Sequence, residues 1–482
     1  MNNIEPSSLS VSLQKNLRHM QEEVHATSDL KIRSFTMKDD VVREAAILYL
    51  DEITDTKNVQ EHLLAPLLRI ERIESIETIV LGHLSVIDVS IETTFDAIRN
   101  GLSKGKTLVL IDGFNQGILA DSSDWQKRAL AEPDSQRTSR GSMIGFTEQL
   151  KINLNLLRNM VQISSFNVET IRVGSESQTD VAIVYLEKFV DQKVLDETRK
   201  KIKDIDVTYL LEARVIEDAI EEKKTLFPLV FTCERPDVTV SALFEGRVVI
   251  FVNGTPYALI VPTLFLHYFH QPDEYNLKSG RFIVRALRFF CWFLSIGLLG
   301  LYVTMVRFHP HWLRHPFDEK LLTQSDTLMP ILIEVLFLSF LFDLLAEVSL
   351  RVPKLSIILV SLIGAIVVGQ TAVEAKLIHS LTLIVVGLNY LTSLNITAGG
   401  LWGAMRTLRY LLLFLGYFFG LTGMLVGMFV VTMYMASLRS LGVPYLAPFI
   451  PFRWDEMKDA LIRGDLRKLI NSKHTYPHKD NK

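Results

Sequence analysis

The chain has 482 residues, a formal net charge of −3 and two cysteines, Cys233 and Cys291. This length is too great for a single hydrophobic core, so several domains are expected. The near-neutral charge, together with the lack of a dense Lys/Arg block, argues against a nucleic-acid-binding protein. The cysteines show neither CxxC nor Cys/His metal spacing, so we expect no metal site and no cofactor.

The N-terminal part of the sequence has the character of a soluble α/β protein. Segment 1–31 has no uninterrupted apolar stretch of signal-peptide length, so we expect this region to be cytoplasmic. Residues 1–130 form the first predicted subdomain. Within it, DDVVREAAILYLDEI (39–53) has the composition of a helix, and TLVLIDG (107–113) is typical of a strand.

A second α/β subdomain is predicted over 131–275, beginning with a Pro/Ser/Gly-rich linker at 131–142. Helical and strand patterns then alternate, which favours an α/β arrangement. The predicted helices are 146–162, 194–205 and 215–223, and the predicted strands are 181–187, 248–252 and 257–262. The turn Asn253-Gly254 between the last two strands is a strong hairpin signal.

Residues 276–438 change character and predict an all-α, multi-pass transmembrane bundle. Four uncharged runs reach the length of roughly 20 residues that a helix needs to cross the hydrocarbon. They are 289–306, 355–373, one within 377–398 and one within 410–438. The remaining residues, 439–482, are predicted to form a polar C-terminal tail.

A fifth segment, 330–350, is apolar but carries the intramembrane acids Glu334, Asp343 and Glu347. Each acid is costly at the centre of a bilayer, by about 3 kcal/mol. Either the acids face a polar bundle interior, or the helix lies in the membrane interface. The distribution of basic residues does not decide between four and five passes, and we expect five. Arg285 and Arg288 precede the first span, where we expect them to meet lipid phosphate.

Motifs for catalysis and nucleotide binding are missing from the sequence. GLSKGKT (101–107) has the wrong glycine spacing for a phosphate loop and precedes a strand instead of following one. We therefore predict no catalytic residues and no enzymatic activity.

Three stretches in chain order resemble the A subunit of the GerA-type germinant receptors of spore-forming bacteria. They are 132–158, 233–275 and 364–377. The most specific one contains the family's ERPD sequence, followed by a Gly-Arg pair before an apolar strand. The residues concerned are Glu234, Arg235, Pro236, Asp237, Gly246 and Arg247. ERPD has two readings: an ion pair at a subunit contact, or a polar turn set by Pro236.

The resemblance implies a subunit of a nutrient-sensing receptor in the inner membrane of the spore. It implies a transporter-like B subunit and a lipoprotein C subunit as partners, with the nutrient bound mainly by B. It also implies that A subunits form homo-oligomers that act as a ligand-gated cation channel. A secondary transporter is the alternative, although transporters often show inverted repeats that this chain lacks.

Helix 355–374 is the candidate pore or packing element. Ser361, Ala365 and Gly369 form a small-residue stripe that would let helices approach closely. Gln370 and Glu374 share another face and could form a polar ring at a pore mouth. Alternatively, Glu374 belongs to a turn and is solvated at the bilayer surface.

Overall fold

A computed structural model describes residues 8–23, 27–38, 42–124, 132–133, 136, 138, 141–221, 225–271, 281–311, 329–349, 351, 370–396, 400–454 and 457. The chain divides into two compact units. The N-terminal unit comprises residues of 1–223 and 232–262, and the helical unit comprises residues of 224–231 and 263–475. An α/β region followed by a helical region confirms the predicted fold class.

The first subdomain of the N-terminal unit is built on a five-stranded sheet with the order β1-β2-β4-β5-β3. Its strands are β1 (Leu30–Met37), β2 (Arg43–Leu50), β3 (Val89–Glu92), β4 (Lys106–Ile111) and β5 (Gly117–Asp121). The helices are α1 (Leu13–Glu23), α2 (Thr56–Asn58), α3 (Ala65–Leu68), α4 (Ile76–Gly82) and α5 (Phe95–Ser103), with a π-helical turn at Val59–Leu64. Apolar cores cover both faces of this sheet.

The predicted helix at 39–53 is wrong, because residues 43–50 form strand β2. Ala45, Ala46, Ile47 and Leu48 are buried, and β2 pairs with β1 on one side and β4 on the other. A strand covered on both faces has a continuous apolar run instead of an alternating one, and such a run cannot be distinguished from a buried helix by its pattern. Burial between two cores outweighs the helix propensity of Glu, Ala and Leu here.

The second subdomain contains another five-stranded sheet, with the order β6-β7-β9-β10-β8. Its strands are β6 (Phe166–Val173), β7 (Thr179–Leu186), β8 (Phe231–Cys233), β9 (Val248–Val252) and β10 (Ala258–Val261). Its helices are α6 (Leu150–Met160), α7 (Gln192–Lys203), α8 (Arg214–Glu221) and α9 (Pro236–Phe244). The hairpin predicted at Asn253-Gly254 is the antiparallel pair β9–β10, and Gly254 has a φ of +97° that suits glycine.

Within the described residues, the helical unit contains four α-helices of fifteen or more residues. These are α10 (Arg281–Phe308), α11 (Ile331–Ser349), α13 (Ser380–Leu394) and α14 (Gly400–Ser437); the short α12 (Thr371–Glu374) lies between α11 and α13. A 3₁₀ helix (Phe265–Phe269) precedes α10, and a two-stranded ribbon of β11 (Arg439–Ser440) and β12 (Val443–Pro444) follows α14.

Helix α14 reverses its direction at Gly420, whose φ of 64° and ψ of −152° are non-helical. A Cβ added at Gly427 would lie 2.9 Å from a side-chain carbon of Leu412, which a straight helix would place about 22 Å away along its axis. The chain therefore folds back, giving a first arm (400–419) and a second arm (421–437). The sequence run 410–438, predicted as one span, contains this reversal.

Candidate functional site

Helix α6 ties the two subdomains of the N-terminal unit together through Asn155. Its side-chain amide donates to the backbone carbonyl of Glu52 at 3.0 Å and to that of Asp124 at 2.8 Å. Both acceptors belong to the first subdomain, whereas α6 belongs to the second. Asn155 is buried, so these bonds satisfy an amide that burial would otherwise leave unpaired.

One turn further along α6, Arg158 forms a buried ionic cluster with two acids of the first subdomain. Its guanidinium lies 2.5 Å from Asp29 and 3.3 Å from Glu52, and it stacks 4.8 Å from the ring centre of Phe166. Burial raises the pKa of Glu52 well above its ordinary value, and neighbouring Asp29 raises it further, while Arg158 acts in the opposite direction. Two carboxylates thus share one arginine in a largely buried site.

A cavity of about 200 Å³ lies beside this cluster within the N-terminal unit. Leu30, Leu50 and Leu102 provide part of its apolar wall, and Arg158 and Glu187 contribute charge. The three leucines belong to the first subdomain and the two charged residues to the second, so both subdomains line the cavity.

The ERPD sequence forms the entry to α9, where Arg235 is almost fully buried. Its guanidinium pairs with Asp237 at 2.7 Å and donates to the backbone carbonyls of Gln136 at 3.2 Å and Ser142 at 2.9 Å. Pro236 is the first residue of α9, where its missing N–H is tolerated. We interpret Arg235 as a structural residue that fixes the preceding segment, which favours the polar-turn reading.

The remaining residues of this motif are also structural in their contacts. Glu234 is buried, and its backbone carbonyl accepts from the N–H of Phe146 at 2.8 Å. Gly246 turns the chain with a φ of +80°, and Arg247 donates from its Nε to the carbonyl of Pro262 at 3.0 Å. Burial raises the pKa of the Cys233 thiol to about 12, so this thiol stays protonated and unreactive.

The three acids of segment 330–350 lie on α11 and have three different environments. Glu334 is fully buried, and its carboxylate lies 2.9 Å from Nδ1 of His379 and accepts from the hydroxyl of Thr382 at 2.9 Å. Asp343 accepts from the hydroxyl of Tyr410 at 2.7 Å and lies 3.6 Å from Arg409.

The third acid, Glu347, is exposed and pairs with Arg351 at 2.6 Å. Glu334 and Asp343 therefore face the interior of the helical unit, as the first of the two sequence interpretations requires. Glu347 lies on its surface. Although four residues separate Asp343 from Glu347, only Asp343 reaches partners on another helix.

Of the candidate pore residues, Ser361, Ala365 and Gly369 lie outside the described residues. Gln370 and Glu374 are both exposed at the N-terminus and C-terminus of the short helix α12. Their exposure in a single chain fits both a pore mouth and a solvated turn.

Sequence reasoning missed the polar contacts that join the helices around the acids of α11. Tyr302 contacts Thr382 at 2.9 Å, and Asn389 donates to the carbonyls of Leu294 and Ser295 at 3.0 Å each. The available signal was the presence of His379, Thr382 and Asn389 in the otherwise apolar run 377–398, because polar side chains in such runs often join helices.

Arg285 and Arg288 do not have the lipid-facing position expected of them. Both side chains are buried, and Arg288 donates to the backbone carbonyl of Phe269 at 3.0 Å. Arg288 thereby holds the start of α10 to the preceding 3₁₀ helix.

Two helices in the described residues are long and apolar enough to cross a membrane, judged by length and composition. They are Ile283–Phe308 and Gly400–Ser437, each with a mean hydropathy of 2.0 over its most apolar stretch. The second is the helix that reverses at Gly420.

Comparisons with known proteins place this architecture in a family. The family model described as "Bacillus/Clostridium GerA spore germination protein" matches residues 18–475. Spore germination protein KA of Bacillus subtilis is 31% identical over 95% of this chain and 85% of its own length. Spore germination protein B1 of the same organism is 29% identical over 94% of both chains.

A solved structure, the N-terminal domain of the A subunit of the Bacillus megaterium spore germinant receptor GerK3, is 29% identical. The match covers 54% of this chain and 98% of that chain, with a TM-score of 0.42. Because the family model spans nearly the whole sequence, the chain belongs to the GerA family of spore germination proteins.

Proposed function

We propose that this chain is a membrane-spanning subunit of a nutrient-responsive germination receptor, and that several copies assemble into a gated cation channel. The observation that carries the proposal is the set of ionisable side chains that pair with one another inside an apolar helical unit. Glu334 contacts His379, and Asp343 contacts Arg409. Ionisable residues within membrane helices are costly and mark ion pathways or gating elements by default.

The candidate pore mouth is the exposed end of segment 355–374. Gln370 and Glu374 are exposed in a single chain. An oligomer could therefore bring their copies together as a polar ring that attracts cations. The small-residue stripe preceding them would allow the close approach that such a ring requires. The inner membrane of the spore is the proposed location, with a transporter-like B subunit and a lipoprotein C subunit as partners and the nutrient bound mainly by B.

Contacts within the helical unit support an even number of membrane crossings. The N–H of Phe265, which precedes the first span, donates to the carbonyl of Tyr445, which follows the last, at 2.9 Å. Ser440 likewise accepts from the N–H of Thr263 at 3.0 Å and donates to the carbonyl of Leu229 at 2.7 Å. Segments that touch outside the bundle lie on one side of the membrane, and these contacts therefore support a proposal of four or six passes in place of the expected five.

The same contacts show that the start of the predicted polar tail, 439–482, is part of the folded helical unit. Its beginning is folded and packed, with Tyr445, Leu446 and Ala447 buried.

Cysteine labelling tests the even number of crossings. One cysteine is placed at 475 and another replaces exposed Lys151, in a chain whose native cysteines are serine. Both should show the same reactivity toward an impermeant reagent. Opposite reactivity would require an odd number of crossings.

Channel and transporter activity can be separated by electrical recording. The receptor, reconstituted with its partner subunits in a planar bilayer, should show discrete current steps carried by K⁺ when the nutrient is added. A secondary transporter would give a smooth, saturable flux without unitary steps. Currents that ignore the nutrient would contradict the proposal.

Glu374→Gln tests the pore mouth, and Glu347→Gln is its matched control. Both substitutions remove one exposed acid from the helical unit, but Glu347 pairs with Arg351 and is not part of the proposed ring. We expect E374Q to lower the single-channel conductance for cations and E347Q to leave it unchanged. Equal conductances for both variants would remove Glu374 from the pore and leave the solvated-turn reading.

A further inference from the structure

Three helical elements converge on the carboxylate of Glu334. The acid lies on α11, His379 is the residue immediately before α13, Thr382 is in the first turn of α13, and Tyr302 is on α10. Nδ1 of His379 is 2.9 Å from Oε1 and 3.1 Å from Oε2, and the backbone N–H of His379 donates to Oε2 at 3.2 Å. Glu334 has no exposed surface.

The hydrogen bonds around this acid form a continuous chain. Thr382 donates its hydroxyl proton to Oε2 of Glu334 at 2.9 Å. Because that proton is committed, the Tyr302 hydroxyl 2.9 Å away acts as donor to Thr382. The sequence Tyr302–Thr382–Glu334–His379 therefore links two hydroxyls, a carboxylate and an imidazole through the interior of the unit, which is the composition of a proton relay.

We propose that Glu334 and His379 form a proton-binding site inside the membrane bundle. When one proton is shared, it lies either on Nδ1, giving an imidazolium beside a carboxylate, or on the carboxyl oxygen, giving two neutral groups. Transfer between these states breaks one N–H bond, forms one O–H bond and requires no other reactant. Both states cancel the negative charge that a buried carboxylate alone would carry in an apolar surrounding.

A proton fits this site better than a metal ion does. The imidazole nitrogen already occupies the near side of both carboxylate oxygens. Across the described part of the chain, no group of three or more His, Cys, Asp or Glu side chains is suitably placed to hold a metal.

Among the described residues, Tyr302, Asp343, Glu374 and Lys376 are titratable side chains on the elements around the pair. Tyr302 is the titratable group that α10 presents to it. Asp343, nine residues further along α11, has its own partners in Tyr410 and Arg409. Glu374 and Lys376, in the segment that leads to His379, are exposed.

Proton occupancy should control how α11 is held to the beginning of α13. The ionised carboxylate accepts from the backbone N–H of His379 and the hydroxyl of Thr382, which satisfies donors at the start of α13. A neutral carboxyl group is a weaker acceptor, so binding of the proton to Glu334 loosens this attachment. The site thereby couples protonation to helix packing.

Infrared difference spectroscopy between alkaline and acid buffer tests the site in the purified, full-length protein in detergent. A protonated buried carboxyl gives a carbonyl-stretch band that an ionised one lacks. We expect the wild type and E347Q, which keeps Glu334 and loses only an exposed acid, to share a component of this band that E334Q lacks. Buried Glu52, whose pKa burial also raises, contributes a separate component to all three spectra. No nutrient or partner subunit is involved, so failure of the channel proposal would not affect the result.

Thr382→Val supplies a second measurement that does not depend on the folding of E334Q. It retains the carboxyl and removes one hydrogen bond to Oε2, so the same band should shift. Wild-type and E334Q spectra that coincide over the pH range in which both proteins stay folded would overturn the proposal. A T382V spectrum with every carboxyl band unmoved would also overturn it.

Discussion

Replacement of Arg158 by methionine should open the junction between the two subdomains of the N-terminal unit. Methionine retains much of the length of the side chain but removes the charge that Asp29 and Glu52 share. Removal of one partner from a buried ion pair costs about 3–5 kcal/mol, because the other charge stays buried without compensation. We expect the lower end of this range, since a proton on Glu52 can relieve part of the repulsion.

Arg172→Met is the matched control. Arg172 also pairs with an acid, Asp180 at 3.2 Å, but its side chain is 70% exposed and that of the acid is 42% exposed. Exposed pairs contribute about 0–1 kcal/mol. Both variants remove the positive charge of an arginine that pairs with acid, but Arg158 is buried between two acids and Arg172 lies at the surface beside one.

Native-state hydrogen exchange, followed by mass spectrometry on the full-length protein in detergent, measures the opening directly. A loss of about 3 kcal/mol corresponds to a rise of more than about 100-fold in the opening equilibrium of α6 and β2. R172M should leave both elements protected. If the exchange rates of α6 and β2 in R158M were within about threefold of those in R172M, the cluster would not hold the subdomains together.

Three further predictions concern single side chains. Because burial raises the pKa of Glu52 in the folded state, its contribution to stability is fully present in acid and is lost as the pH rises through that raised pKa; E52Q should flatten this pH dependence of unfolding. G416A should lower the thermal midpoint, with an overpacking cost of about 1–3 kcal/mol, because the added Cβ would lie 2.7 Å from the carbonyl oxygen of Gly300. G403A is the control and should leave the midpoint unchanged, because a Cβ added there has no atom within 4 Å. D343N should destabilise the helical unit by about 1–2 kcal/mol, since buried Arg409 loses its counter-charge; a midpoint equal to that of E347Q would contradict this.

Most elements of the second subdomain were predictable because each has a local signal. The run 181–187 alternates little but is rich in Val, Ile and Tyr, and the structure forms β7 there. The helix predicted at 194–205 is α7, which begins after Asp191; the side chain of Asp191 accepts from the backbone N–H of Lys193. Propensity, pattern and capping agree at these positions, so the sequence alone is sufficient.

Strand β2 and the turn at Gly420 show where local signals fail. Residues 43–50 have the composition of a helix, and their identity as a strand depends on two neighbouring strands that are distant in sequence, as with the pairing of Ala45 and Ile111. Gly420 is one of several glycines in an apolar run, and its own residue type does not distinguish a turn from a helical position. Its role follows from the packing of Gly427 on Leu412, which only the folded chain shows.

The acids of α11 illustrate the same limit in the candidate site. A spacing of four residues puts Asp343 and Glu347 on one helical face, and Glu334, nine residues before Asp343, does not extend that face. The decisive fact for each acid is nevertheless its partner. Glu334 meets His379, 45 residues away, and Asp343 meets Tyr410, 67 residues away. Such partners make a buried acid tolerable in an apolar unit, and they are selected by helix packing. A hydropathy profile alone therefore assigns the three acids a similar free-energy cost in a bilayer. In the folded helix they are a proton-binding candidate, a member of an ion pair and a solvated surface acid.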